Sequence, residues 1–248
     1  MNAFASLMLA AAVFAPALAQ AAPADTKNVV IVPGTFIDGA SWRVVHDILR
    51  HKGFQVTVVP LSHDTLEEDI AATRRVLFNQ FGKVVLVGSG MGGTVIGHAG
   101  EGAKVKALVY VAALAPQVGE NSGQLLGAIP AEPVARPDWA GYYWADRARF
   151  HQNFAADLTP NRAAFLAASQ VPTTQAFVYA PAYAAAWRDK PSYAVVATND
   201  RFLHPDTQRM MYKRARARTI EIASSHAVQL SNPEKVAALI EQAAVDTL

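Results

Sequence analysis

The sequence contains no cysteine, which excludes disulfide bridges and thiolate chemistry and leaves the redox compartment open. Charge is scarce and nearly balanced: 22 Lys and Arg stand against 20 Asp and Glu, a formal net charge of +2. Such a balance carries no electrostatic footprint for nucleic acid or for an acidic surface, so neither is expected as a partner. His46, His51, His63 and His151 are scattered without metal-ligand spacing, and neither a metal nor an organic cofactor is expected. Charged side chains are missing altogether from Met1 to Ala19. That segment has an apolar stretch from Phe4 to Phe14 and ends Ala17-Leu18-Ala19 before Gln20. It reads as a signal peptide with an A-x-A cleavage site, although the usual Lys or Arg near its start is missing. Ser6 and Pro16 interrupt it, and it is short for a membrane span. An exported protein, periplasmic or secreted, is therefore expected, with residues 20–248 as the mature domain and no stable span after cleavage.

What is present points to one large core. The 248 residues are 52% hydrophobic, enough for a single globular domain. After residue 27, short β-branched runs alternate with longer helical patterns. Asn28 to Val32, Gln55 to Val59, Lys83 to Val87, Val105 to Val111, Ser192 to Ala197 and Thr219 to Ala223 read as six strands. Between them, Trp42, Val45, Ile48 and Leu49 recur at helical spacing, and Thr65 with Glu68 forms a capping box for a helix to about Gln80. Further helices are predicted after Gly92, over Pro205 to Arg214, and from Asn232. Continuous apolar strands separated by helices imply an α/β fold with a mostly parallel sheet covered on both faces. The alternation fails between about residues 116 and 191. That stretch, with helical pieces around Arg147 to Leu158 and Asn161 to Ser169, reads as an insertion over one end of the sheet.

The chemistry is concentrated in "VGSGMGGTVIG", Val87 to Gly97. Gly88, Gly90 and Gly93 spell G-x-G-x-x-G, a dinucleotide-binding turn, while Gly88 to Gly92 has the frame of G-x-S-x-G, a nucleophile elbow without its serine. Both motifs sit at the carboxyl end of a strand. The dinucleotide reading wants the first strand and an acid about 20 residues on, at the next strand's tip. Here the turn follows the third strand, and the next one ends "YVAALA" without Asp or Glu. The elbow reading wants an acid and then a base downstream. Asp200 follows one strand in "TNDRFLHPD", and His226 follows the next in "ASSHAVQLSNPE".

With these stretches the sequence resembles the α/β-hydrolases, in particular the single-domain esterase and hydroxynitrile-lyase-like group. "NVVIVPGTFIDGASW", "EEDIAATRRVL", "KVKALVYVAALAPQVGE", "NFAADL", "AAFLAASQVP" and "SSHAVQLSNPEKVAALI" carry the resemblance over nearly the whole mature chain. It implies an α/β-hydrolase fold, Asp200 and His226 as acid and base, and a small helical cap over the pocket from about 116 to 191. It also implies an oxyanion hole from the Gly34-Thr35-Phe36 loop and the backbone N–H of Met91, and a small carbonyl or ester-type substrate.

The departures fall at the centre of the chemistry. The family's His-Ser is Ser89-Gly90 here, and its His-Gly before the oxyanion loop is Pro33-Gly34. Gly90 then holds the nucleophile position without a side chain. Glycine tolerates the positive φ of an elbow, so the turn survives while the covalent route is lost. Ser89, one step earlier, is expected to point away from His226. Three readings follow: an enzyme in which the His226–Asp200 pair works as a base without a nucleophile, a ligand-binding pseudoenzyme, or a nucleophile-substituted variant of a serine esterase. Among other residues, His98 is expected as a packed core histidine and Trp187 as structural. Trp139, Tyr142, Tyr143 and Trp144 divide evenly between pocket entrance and packing. Lys213, Arg214, Arg216 and Arg218 are expected as a solvated helix end.

Overall fold

The computed structural model describes residues 27–129 and 135–248; the expected signal peptide lies outside them. The chain runs β1 (Asn28–Val32), α1 (Arg43–His51), β2 (Gln55–Val58), α2 (Leu66–Phe78), β3 (Val84–Gly90), α3 (Gly92–Ala99) and β4 (Val105–Ala113). An insertion follows, with α4 (Ser122–Leu126), β5 (Ala135–Pro137), β6 (Tyr142–Ala145), α5 (Phe150–Phe154), α6 (Pro160–Ala168), β7 (Thr173–Thr174) and α7 (Gln175–Tyr179). The chain then returns through β8 (Ser192–Ala197), α8 (Pro205–Arg214), β9 (Arg218–Ile222), α9 (Val228–Ser231) and α10 (Pro233–Thr247). All six strands read from the sequence form one parallel sheet, in the order β2-β1-β3-β4-β8-β9.

The two faces of that sheet are covered by different helices, as continuous apolar strands require. Val29, Ile31, Val85 and Val87 meet Trp42, Val45 and Leu49 around α1, and Val236, Ala237 and Ile240 of α10. Val30, Val32, Leu86 and Leu108 pack on the other face with Ile70 of α2, Val95 and Ile96 of α3, and Met211 and Tyr212 of α8. Each Val, Leu, Ile or Met side chain among them, fully buried, contributes on the order of 1.5–3 kcal/mol. Thr65 caps α2 as expected, its hydroxyl accepting from the Glu68 amide at 3.2 Å. Pro205 and Pro233 open α8 and α10 in the first turn, where a missing N–H costs nothing.

The insertion departs from the helical expectation. Its helices are joined by a second, antiparallel sheet in the order β5-β6-β7. These strands have 3, 4 and 2 residues, too short for an alternating pattern to stand out in a sequence.

Where α3 leaves β3, the backbones are nearly in contact. A Cβ on Gly92 would lie 2.4 Å from the Val32 carbonyl oxygen, and one on Gly93 would lie 2.0 Å from that of Leu114. These glycines exist to seat the strand–helix turn between β1 and β4. The register between β3 and β4 also slips there, Ser89 facing Val111 and Gly90 facing Ala113, with Ala112 at φ +44°. Tyr212 of α8 holds the slipped segment by accepting from the Ala113 amide at 2.7 Å and donating to its carbonyl at 2.8 Å.

Candidate active site

Gly90 ends β3 with φ +48°, the left-handed conformation in which glycine carries no Cβ penalty. A Cβ built on it would lie 3.2 Å from Nε2 of His226. The other ring nitrogen of His226, Nδ1, is 2.6 Å from Oδ2 of Asp200. Asp200 is held in turn: Oδ1 accepts from the amides of Phe202 at 2.8 Å and Leu203 at 2.9 Å, and Oδ2 from the Gln208 side chain at 2.9 Å. A buried carboxylate so bonded fixes the imidazole with its proton on Nδ1 and leaves Nε2 as the free base. The ends of β3, β8 and β9 thus bring Gly90, Asp200 and His226 together.

The residues expected to form an oxyanion hole divide. Phe36 has φ +69°, and its N–H donates to the Val171 carbonyl at 2.8 Å, so this amide is engaged with the insertion rather than open to a ligand. The amides of Thr35 and Met91 make no hydrogen bond within the described residues, and both residues are buried. Sequence alone assigns Gly34-Thr35-Phe36 to the loop, but which amide is free depends on a partner 135 positions away.

Ser89 is engaged with the loop after β1. Its hydroxyl accepts from the Gly34 amide at 3.1 Å and pins the Gly34–Phe36 loop to the strand.

Several features of the site had no separate signal in the sequence. His226 is only 6% exposed because two aromatic rings close over it. Phe154 of α5 lies edge-on at 4.6 Å and Phe202 at 4.8 Å, and Phe202 in turn meets Phe36 at 5.6 Å. Asp157, just beyond α5, bonds Ser224 and Ser225. Only the spelling "NFAADL" marked this segment. His63 forms a second buried histidine–carboxylate pair, Nδ1 lying 2.7 Å from Asp69 Oδ2. The sequence placed His63 among scattered histidines because its partner lies six positions on, across a turn and into α2.

The remaining candidates find structural places. His98 is fully buried, Nδ1 donating to the Thr94 carbonyl at 2.7 Å and Nε2 accepting from the Tyr183 amide at 3.1 Å. Trp187 donates to the Pro116 carbonyl at 2.9 Å. Trp139 is almost fully exposed, while Trp144 donates to Asp138 at 2.9 Å. The basic run is not simply a solvated end. Arg214 makes a two-pronged bond to Glu120 at 2.7 and 2.8 Å, and Arg218 pairs with Asp246. Those acids lie 94 and 28 residues away, beyond the reach of a local pattern. Among the described residues no helix is long and apolar enough to cross a membrane.

Comparison with known proteins agrees with this architecture. Residues 29–239 match the alpha/beta hydrolase family. Among solved structures, a pyrethroid hydrolase from Sphingobium faniae JZ-2 superposes with a TM-score of 0.74 at 20% identity, covering 89% of this chain and 98% of that one. An extracellular alpha/beta-hydrolase from a Paenibacillus species gives 0.75 at 17% identity, covering 87% and 98%. A histidine-to-alanine variant of tomato methylketone synthase I, complexed with beta-ketoheptanoate, gives 0.76 at 16%, covering 89% and 98%. No curated protein matches the sequence. With the family matched across the sheet, the elbow-like turn and the histidine loop, the chain belongs to the alpha/beta hydrolase family.

Proposed function

We propose that this protein is an alpha/beta hydrolase-fold enzyme without a serine nucleophile, acting on a small carbonyl or ester-type substrate through the His226–Asp200 pair. The carrying observation is the 3.2 Å between His226 Nε2 and the point where a Gly90 Cβ would stand. A base aimed at a nucleophile position that carries no side chain can take a proton from water or from the substrate itself. In the hydrolytic form, water attacks the carbonyl carbon while Nε2 takes its proton. The Thr35 and Met91 amides carry the developing oxyanion. As the C–O bond breaks, the imidazolium returns the proton to the leaving alkoxide. In the lyase form, with a β-keto acid, Nε2 takes the carboxyl proton, the C–C bond to that carboxylate breaks and carbon dioxide leaves, the same amides hold the enolate, and the imidazolium returns the proton to the α-carbon. Asp200 stabilises the imidazolium in either case. Similar solved structures include an esterase and a synthase complexed with beta-ketoheptanoate, so the substrate screen includes aryl esters and β-keto acids.

Turnover should vanish in His226→Ala, and a serine-directed fluorophosphonate should leave the protein unlabelled. Stoichiometric labelling, or turnover that survives the loss of His226, overturns the reading.

A second reading, a binding protein that has lost its chemistry, draws on the closure of Phe154 and Phe202 over His226. It predicts no turnover on any substrate but a rise in Tm with small apolar ligands. We also propose export, with cleavage after Ala19; the mass of the mature protein in a secreting host tests this.

A further inference from the structure

We propose that Asp157 is the positioning residue of the base: a carboxylate on the insertion that holds the segment before His226 and keeps Nε2 aimed at Gly90. The inference rests on reading His226 as the base, but its test observes the imidazole directly.

His226 belongs to neither helix nor strand. The stretch between β9 and α9 is joined to the sheet by the Asn199 amide, which donates to the Ser224 carbonyl at 3.0 Å. Asp200 holds the imidazole itself, and the Ser231 hydroxyl of α9 lies 2.8 Å from that of Ser224; the other contacts come from one turn of the insertion. The Ser224 hydroxyl donates to Asp157 Oδ2 at 2.6 Å, and the Ser225 amide donates to the same oxygen at 3.0 Å. The Ser225 hydroxyl donates to Oδ1. Beyond the histidine, the Ala227 amide donates to the Phe154 carbonyl at 3.1 Å. The residues on both sides of His226 are therefore tied to Phe154–Asp157, and the Phe154 ring rests on the imidazole between them.

Hydrogen bonds to an ionised carboxylate are about twice as strong as neutral ones, so Asp157 is the firm end of this connection. Partial burial works against its ionisation. The donors Ser224 and Ser225 outweigh that and hold the carboxyl below its usual range. The consequence is a coupling. Any movement of the Phe154–Asp157 turn loosens the loop that carries His226, because the bonds on both sides of the histidine end on that turn.

The test compares Asp157→Ala and Asp157→Asn by NMR and hydrogen exchange. The two readouts are the low-field Nδ1 proton of His226 and the exchange of the Ala227 amide, whose own acceptor is untouched by either substitution. Asp157→Ala should broaden the His226 proton beyond detection and speed Ala227 exchange by about tenfold. Asp157→Asn, which keeps an oxygen for the Ser225 amide, should restore part of both. If Asp157→Ala fails to fold, the paired Ser224→Ala and Ser225→Ala substitutions remove the same hydroxyl donors and should move both readouts the same way. A folded variant in which the His226 proton and Ala227 exchange are unchanged, whatever its Tm, overturns the proposal. A turnover screen that finds no substrate leaves it standing and counts against the enzyme reading alone.

Discussion

His226 Nε2 stands 3.2 Å from the position a Cβ on Gly90 would take, closer than a side chain and a ring ordinarily approach. The geometry accepts a serine there only if the imidazole retreats by a few tenths of an ångström. Its bond to Asp200, at 2.6 Å, opposes a larger movement.

Gly90→Ser therefore should fold, at a cost of about 1–3 kcal/mol for a side chain at positive φ. It should gain hydrolysis of short-chain aryl esters and become labelled by fluorophosphonate. A nucleophile of this kind is worth on the order of a millionfold in a well-adapted serine protease, and a rudimentary site should recover a measurable part of that. Failure to label, with the fold intact by circular dichroism, would mean that Oγ does not reach the base.

Ser89→Ala separates a structural hydroxyl from a reactive one. The substitution leaves the Gly34 amide without its acceptor at a buried position, so stability should fall by about 1–2 kcal/mol in urea unfolding. Any turnover of the native protein should persist at the same pH profile. Its disappearance would make Ser89 the nucleophile.

Acid stability should carry the mark of His98. Burial lowers its pKa from the ordinary 6.5, its bond to Thr94 opposing this in part. As pH falls below 6.5, the unfolded chain takes up a proton that the folded chain refuses, so stability declines toward the depressed folded pKa and levels off beneath it. The slope contributed by one such group is at most about 1.4 kcal/mol per pH unit. His98→Gln should flatten the Tm profile just below pH 6.5, and an unchanged profile would assign the decline elsewhere.

Gln229 is buried, three residues after His226, and neither its amide nitrogen nor its oxygen has a partner among the described residues. Gln229→Met conserves the shape and removes two unpaired polar atoms, so stability should rise by about 1 kcal/mol. A fall in the urea midpoint would show that the amide is satisfied by water in solution.

The order of strands and helices was legible because burial on both faces leaves continuous apolar runs, and because Thr65, Pro205 and Pro233 mark helix starts locally. Asp200 and His226 were legible for a related reason: in a parallel sheet, the residues after successive strands meet at one edge. The small sheet of the insertion was not, since strands of 2 to 4 residues show no period. Nor was the engaged amide of Phe36, because its acceptor, Val171, lies in that insertion.

The sequence by itself determined the family, the placing of Asp200 and His226 after successive strands, and the absence of a side chain at position 90. Those depend on residue identity and on the order of elements along the chain. The tertiary structure alone decided where Nε2 points, which amides remain free, and that Phe154 and Phe202 pack on His226 while Asp157 bonds the segment before it. These depend on distances across elements 24 to 135 residues apart, which no local pattern encodes.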